Sequence, residues 1–145
     1  MAYQIQTSIN IQSTPQKIWS ILTDFKNYPN WNPFIKSIEG TPKVGNKIIA
    51  KIQPPNSNLM SFTPKVLVFD ENKEFVWLGH LLFKGLFDGE HRFKLIDNQD
   101  GTTTFVQSEN FKGLFVPIFK SQLDKNTRTG FELMNQKLKE LAENE

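Results

Sequence analysis

The longest regular pattern of apolar positions lies near the C-terminal end, from about Phe115 to Ala142. Apolar residues recur there at helical spacing, with charged residues mostly between them; they are Phe119, Leu123, Phe131, Met134, Leu138 and Leu141. This spacing predicts one amphipathic helix of about seven turns. The heptad repeat is imperfect and Gly130 interrupts it. We therefore expect the helix to pack on a broad surface of its own chain rather than in a coiled coil.

Patterns typical of strands occupy most of the chain before this helix. Residues 3–12 alternate between the two faces of a half-buried strand. Ser13 or Thr14 then caps a helix that has Pro15 in its first turn. Pro29 and Pro33 prevent that helix from continuing and leave room for one short helical segment. Six further strands are predicted, at residues 35–39, 46–53, 60–70, 74–82, 90–97 and 103–111.

This order of elements predicts an α+β fold in one domain spanning residues 1–145. The predicted surface for the long helix is one curved antiparallel sheet, with two short helices after the first strand. The chain is long enough to enclose a core and a cavity. Thirteen Phe and three Trp residues supply large rings for a core or for the wall of an apolar pocket.

Composition narrows the function classes. The absence of cysteine excludes a thiol nucleophile, a thiolate metal site and a disulfide framework. The net charge of only +2, with Lys and Glu scattered, argues against nucleic acid as a partner. We predict no metal and no cofactor. The N-terminal alternation differs from a signal peptide and no apolar run reaches membrane-spanning length, so a cytoplasmic protein is expected. The pattern leaves the oligomeric state open.

Three local patterns resemble the START-like helix-grip superfamily, in particular its bacterial polyketide cyclase/dehydrase and lipid-transport branch. They are Ser13-Thr14-Pro15 leading to Tyr28-Pro29 and Asn32-Pro33, then Gly89-Glu90-His91-Arg92-Phe93 followed by residues 102–113, and finally Gly130-Phe131 with Met134-Asn135. The resemblance covers nearly the whole chain. It implies a seven-stranded sheet that grips the long helix, with an apolar cavity between them.

His91 and Glu109 are the candidate catalytic residues. They share the apolar face of their strands with Phe93 and with Gln107, and the five-residue loop 98–102 sets an odd-with-odd register. That register places His91 directly opposite Glu109. An imidazole–carboxylate pair can act as acid or base on an enolisable ligand. Alternatively, the two side chains satisfy each other in the core and have no chemical role.

Other residues are candidates for contact with a ligand. Phe62 and Val66 share one face of the fourth strand. The sequence does not determine which face of the fifth strand points to the cavity, and Trp77 is a candidate on one of its two faces. The candidate ligand-binding residues are Phe62, Val66, Trp77, Phe93, Phe105, Gln107, Phe131 and Met134. Resemblance places two apolar loops at the cavity mouth, where they gate the pocket, touch a membrane or pack together; their residues are Leu86, Phe87, Leu114 and Phe115.

Three function classes follow. The first is a carrier, scavenger or sensor of a small hydrophobic molecule such as a lipid, a polyketide-like compound or an aromatic metabolite. It agrees best with the aromatic content and the scarcity of catalytic groups, so an enzyme is the less favoured reading. The second is a metal-independent cyclase, dehydratase or isomerase that uses His91 and Glu109. The third is an interaction protein whose mouth loops touch a membrane or a protein partner.

Overall fold

The computed structural model describes residues 2–80 and 84–144, and within them the chain forms an α+β fold. The strands are β1 (Ala2–Ile11), β2 (Ile35–Glu39), β3 (Ile49–Ile52), β4 (Met60–Phe62), β5 (Lys65–Asp70), β6 (Glu74–His80), β7 (Asp88–Asp97) and β8 (Thr103–Lys112). The helices are α1 (Pro15–Leu22), α2 (Tyr28–Trp31), α3 (Val116–Gln122) and α4 (Arg128–Glu143). No helix in the described ranges is both long and apolar enough to cross a membrane.

The two short helices after β1 are confirmed, and their limits follow from local chemistry. The Thr14 hydroxyl accepts a hydrogen bond from the Lys17 amide at 3.2 Å, which caps the start of α1. At the other end, the Tyr28 hydroxyl donates to the Leu22 carbonyl. Burial raises the pKa of that phenol, so Tyr28 is a neutral hydrogen-bond donor. These two polar side chains close both ends of α1 and join it to α2.

The larger sheet has the order β1-β8-β7-β6-β5, and all of its pairs are antiparallel. The register of β7 and β8 places His91 opposite Glu109 and Phe93 opposite Gln107. The register predicted from strand parity and loop length is therefore confirmed. It also places these four side chains on the face of the sheet that carries the core.

The prediction of a single seven-stranded sheet is wrong, because residues 2–80 and 84–144 form eight strands in two sheets. The predicted strand 60–70 is divided at Pro64, which has no amide proton for a ladder hydrogen bond. β4 pairs with β3 in a second sheet of order β2-β3-β4, whereas β5 pairs with β6 in the larger one. The Pro64 carbonyl still accepts from the Ile48 amide at 3.0 Å, which holds the sheets together. The predicted strand end at Leu81 and Leu82 lies outside the described residues.

The predicted long helix is helical from Val116 to Glu143, but five residues between α3 and α4, Leu123–Thr127, form a π-helical turn. A π turn inserts an extra residue and so rotates α3 relative to α4. As a result Phe119, predicted to face the sheet, is 43 % exposed. Leu141 is also exposed, because Ala142 lies four residues after buried Leu138 and takes the inward position.

The inward face of α4 forms the core with the larger sheet. Phe131, Met134 and Leu138 are fully buried, as the apolar stripe predicts. Gly130 lies directly over the ring of Phe34, and a Cβ there would be 2.4 Å from the ring. Glycine at this position therefore permits close contact between the helix and β2.

Candidate functional site

A cavity of about 230 Å³ opens between the two sheets at the end of the molecule that carries α3 and the π-helical turn. Its wall is largely apolar; the lining residues are Phe34, Ile52, Pro54, Ser57, Met60, Phe62, Pro64, Trp77, Gly79, Phe87, Gly89, Glu109, Phe111, Phe119, Gln122, Leu123, Asn126 and Thr127. This volume is somewhat larger than the roughly 150 Å³ of an engineered cavity that binds benzene. It therefore accommodates a small ring system.

A pair of glycines creates part of the space. Gly79 on β6 and Gly89 on β7 are directly paired and both line the cavity. A Cβ on Gly79 would meet only Pro64, at 3.6 Å, whereas a Cβ on Gly89 would lie 2.3 Å from Oε2 of Glu109. The missing side chain at Gly89 is thus the reason that the Glu109 carboxylate can lie flat against the cavity wall.

Glu109 is the one ionisable side chain on that wall in residues 2–80 and 84–144. Its side chain is 16 % exposed, and Oε1 is 3.4 Å from Nδ1 of His91. The neighbours of His91 along β7, Glu90 and Arg92, point to the opposite face of the sheet. Among the described residues, the ion-pair contact of the carboxylate is therefore with the imidazole of His91.

His91 lies behind the wall and does not line the cavity. It is 1 % exposed and packs among the rings of Trp77, Phe93 and Phe131, at centroid distances of 5.1, 4.6 and 5.0 Å. These rings fix the plane of the imidazole. A ligand in the cavity would meet Glu109 directly and would experience His91 only through it.

A chain of polar side chains continues from His91 through the core. Nε2 of His91 is 2.9 Å from Oε1 of Gln107, and Nε2 of Gln107 donates to Oδ1 of Asn135 at 2.8 Å. Nδ2 of Asn135 donates to the Thr7 hydroxyl at 2.9 Å, and that hydroxyl donates to the Gln107 carbonyl at 3.1 Å. Gln107 and Asn135 are buried, so the chain satisfies groups that would otherwise be costly to bury.

Comparison with known families supports this reading of the architecture. Residues 2–143 match the family described as polyketide cyclase / dehydrase and lipid transport. The chain belongs to this family. The resemblance seen in the sequence motifs is thereby confirmed, and so is the helix-grip type of fold. None of the curated proteins matches the sequence at a significant level.

Solved structures of similar fold are distant in sequence. A START superfamily protein from Mycobacterium smegmatis has a TM-score of 0.76 at 18 % identity, covering 97 % of each chain. The Zhui aromatase/cyclase from Streptomyces sp. R1128 has a TM-score of 0.78 at 10 % identity, covering 99 % of this chain and 94 % of its own. The di-domain ARO/CYC BexL has a TM-score of 0.79 at 11 % identity, and the present chain spans about half of its length. At these identities the likeness shows the fold alone.

The cavity contacts only part of the set of predicted site residues. Phe62 and Trp77 line it, as do Glu109 and, at the mouth, Phe87. The remaining predicted ligand-binding residues are fully buried and lie outside the wall; they are Val66, Phe93, Phe105, Gln107, Phe131 and Met134. Their apolar faces are correctly predicted, but they fill a solid core because α4 packs directly on this part of the sheet.

The two predicted mouth loops are joined through their backbones. The Phe115 amide donates to the Leu86 carbonyl at 2.9 Å, and the Leu114 amide donates to Gly85 at 3.2 Å. Gly113, with φ +133°, allows this approach, because a Cβ would lie 2.4 Å from the Leu86 oxygen. Leu86, Leu114 and Phe115 do not line the cavity. Leu114 points outward and is 75 % exposed.

The π-helical turn supplies wall residues that sequence reasoning missed, namely Leu123, Asn126 and Thr127. The turn is anchored by Asp124, which accepts a hydrogen bond from the Tyr3 hydroxyl at 2.5 Å and from Arg128 at 3.0 Å. These donors hold the pKa of the Asp124 carboxyl below its usual value. The spacing of apolar residues does not predict the π-helical turn, because this turn is defined by its backbone geometry and has no characteristic residue types.

Wall residues in and next to the smaller sheet were also missed, including Ile52, Met60 and Phe34, which directly precedes β2. The same is true of Phe111 and Phe119, whose rings lie 5.9 and 6.1 Å from that of Phe87. Once the smaller sheet is seen to pair separately from the larger one, the gap between the two sheets identifies these residues.

Proposed function

We propose that this protein binds a small, largely apolar molecule in the cavity between the two sheets and acts as its carrier, scavenger or sensor. The observation that carries the proposal is the cavity itself: about 230 Å³, walled mainly by aromatic and aliphatic side chains, with a single carboxylate among the described residues. Ligand sites in proteins are typically concave and apolar with a few oriented polar groups. A cytoplasmic location remains a prediction of the sequence.

The test is the binding of a neutral fluorescent probe, N-phenyl-1-naphthylamine, with an expected micromolar dissociation constant. Gly79→Val should weaken binding at least tenfold, because the Cβ position of Gly79 has open space beyond Pro64 that the new side chain would fill. Ser61→Val is the matched control. Ser61 is exposed between the lining residues Met60 and Phe62 and so points away from the cavity. Equal affinity in the Gly79 variant and the wild type would contradict binding at this site.

A second candidate function is acid–base catalysis on an enolisable ligand, in keeping with the cyclase named among the similar structures. The supporting observation is that Glu109 lines the cavity with His91 3.4 Å behind it. A carboxylate in a mostly apolar wall is suited to take a proton from a carbon next to a carbonyl group.

Solvent exchange of the α-protons of 2-tetralone, followed by NMR, tests this second function. We expect acceleration by the wild type and a loss of about a hundredfold or more in Glu109→Gln, as for other general bases. His80→Gln is the control, because His80 is exposed and does not line the cavity. No acceleration by the wild type, or an unchanged rate in Glu109→Gln, would exclude Glu109 as the base.

Contact of the mouth with a membrane is the third proposal. It is supported by the outward exposure of Leu114 (75 %) and of Ile118 (71 %), two large apolar side chains at the start of α3. Backbone hydrogen bonds between residues 85–86 and 114–115 join the two loops at this end of the molecule. Co-sedimentation with phospholipid vesicles distinguishes this function from binding in solution.

A further inference from the structure

The polar chain behind the cavity has a direction, because it ends on a group that can only accept a hydrogen bond. The backbone carbonyl of Gln107 accepts from the Thr7 hydroxyl. Because that hydroxyl proton is used, the hydroxyl oxygen must accept from Nδ2 of Asn135. Oδ1 of Asn135 then faces Gln107 and accepts from its Nε2. The remaining atom of the Gln107 amide, Oε1, is an acceptor and faces Nε2 of His91.

His91 must therefore carry a proton on Nε2. In the neutral ring, Nδ1 would present a lone pair to Oε1 of Glu109 at 3.4 Å, which repels a carboxylate. At 3.4 Å the contact is longer than an ordinary hydrogen bond, so Glu109 is not held by a short bond to the ring. No cationic side chain lines this part of the cavity among residues 2–80 and 84–144, so the carboxylate gains from a ligand that brings its own donor.

The second carboxyl oxygen has a different environment. Oε2 of Glu109 lies over Gly89, where a Cβ would be only 2.3 Å away, and both residues line the cavity. Because Oε1 is the oxygen that faces His91, Oε2 is left to accept a hydrogen bond from a ligand. Among the described residues that line the cavity, Glu109 thus presents the one carboxylate oxygen as an acceptor, in a wall whose other polar side chains are the neutral Ser57, Gln122, Asn126 and Thr127.

We propose that Oε2 of Glu109 selects ring ligands that carry a hydroxyl or N–H donor. The inference rests on the proposed binding function and assigns its ligand class. An apolar molecule that offers only acceptors gains nothing from Oε2, and an anionic carboxylate is repelled by it. Thr7, Gln107 and Asn135 act as positioning residues, since they act on the ligand only through His91 and Glu109.

The test of ligand class compares three naphthalenes of the same ring size. Wild-type protein should bind 2-naphthol at least tenfold more tightly than 2-methoxynaphthalene, the effect expected for one hydrogen bond to a charged acceptor, and should bind 2-naphthoate most weakly. Glu109→Met keeps the length of the side chain but removes the acceptor, so the preference for 2-naphthol should fall to within about threefold.

The outcomes separate the two proposals. If none of the three compounds binds, the proposed function fails. If they bind with equal affinity to the wild type, or if Glu109→Met keeps the preference, binding stands and the assigned ligand class is wrong.

Nitrogen NMR of the imidazole tests the direction of the amide chain without altering the site. In the His80→Gln variant, His91 is the single histidine, so its ring signals need no assignment. We expect a proton on Nε2. A neutral ring protonated on Nδ1 alone would show that the amide chain runs in the opposite direction and would overturn the proposal. As a second measure of positioning, Asn135→Leu should reduce the 2-naphthol preference, although Asn135 does not line the cavity.

Discussion

Replacing Gly89 by alanine should move the Glu109 carboxylate, because the three atoms nearest to the new Cβ all belong to Glu109. The new Cβ would lie 2.3 Å from Oε2 and 3.3 Å from Cδ of Glu109, whereas favourable contacts between heavy atoms begin at about 3.5 Å. The oxygen must therefore move by about 1 Å. The backbone accepts alanine here, because Gly89 lies in extended conformation within β7.

The expected change in stability has two opposing parts. Alanine in place of glycine at a permitted conformation stabilises by about 0.4–1 kcal/mol through the unfolded state. Overpacking costs about 1–3 kcal/mol in a filled core, and the lower end applies here because the displaced atom is the end of the Glu109 side chain beside the cavity. We therefore expect Gly89→Ala to lower the free energy of unfolding by up to about 0.5 kcal/mol, measured by urea denaturation with tryptophan fluorescence as the signal. Affinity for 2-naphthol should fall at the same time.

Gly79→Ala is the matched control, since Gly79 is the strand partner of Gly89 and also lines the cavity. Its Cβ would meet Pro64 at 3.6 Å, an ordinary contact, so only the stabilising part remains and the free energy of unfolding should rise by about 0.4–1 kcal/mol. Opposite signs for the two variants are the essential result. A change of the same sign and size in both would refute the reasoning, because the Glu109 carboxylate would then not occupy the space above Gly89.

Three further predictions concern the core, the π-helical turn and the mouth. Phe131→Ala should lower the free energy of unfolding by about 3–5 kcal/mol, because the ring is fully buried; a loss below about 0.5 kcal/mol in urea denaturation would contradict its position. Asp124→Asn should reduce thermal stability at neutral pH, since Tyr3 and Arg128 donate to the carboxylate and lower its pKa. That difference should be complete above about pH 4 and shrink as the pH falls through the lowered folded-state pKa, whereas a pH-independent difference would exclude the charge as its cause. Leu114→Ser should weaken co-sedimentation with vesicles and leave 2-naphthol affinity unchanged; no binding of the wild type would refute membrane contact.

The sequence was sufficient for those features that depend on parity and spacing. Alternation on two strands and the length of one loop place His91 opposite Glu109, and the structure has this register. The stripe on α4 predicts burial of Phe131 and Met134. In each case the alternation of a strand or the spacing of a helix determines which face a side chain occupies. This inference does not require knowledge of the neighbouring elements.

The position of the cavity could not be predicted in this way. An apolar face shows which side chains avoid water but does not show whether they meet other side chains or an open space. Phe93 and Trp77 share that face, yet only Trp77 reaches the wall, because α4 packs over one part of the sheet and the π-helical turn moves α3 off the other. The break at Pro64 was visible in the sequence and could have indicated two sheets.

The pairing of β1 with β8 has a consequence for how the protein is made. Thr7 and Asn135, which are hydrogen-bonded in the polar chain, are 128 positions apart. A ribosome adds about 5–20 residues per second, so β1 leaves it several seconds before its partner strand exists. Contacts between such distant segments also slow folding in general. The polar chain and the carboxylate that it orients therefore form late in synthesis. Until β8 has been made, both backbone edges of β1 remain unpaired.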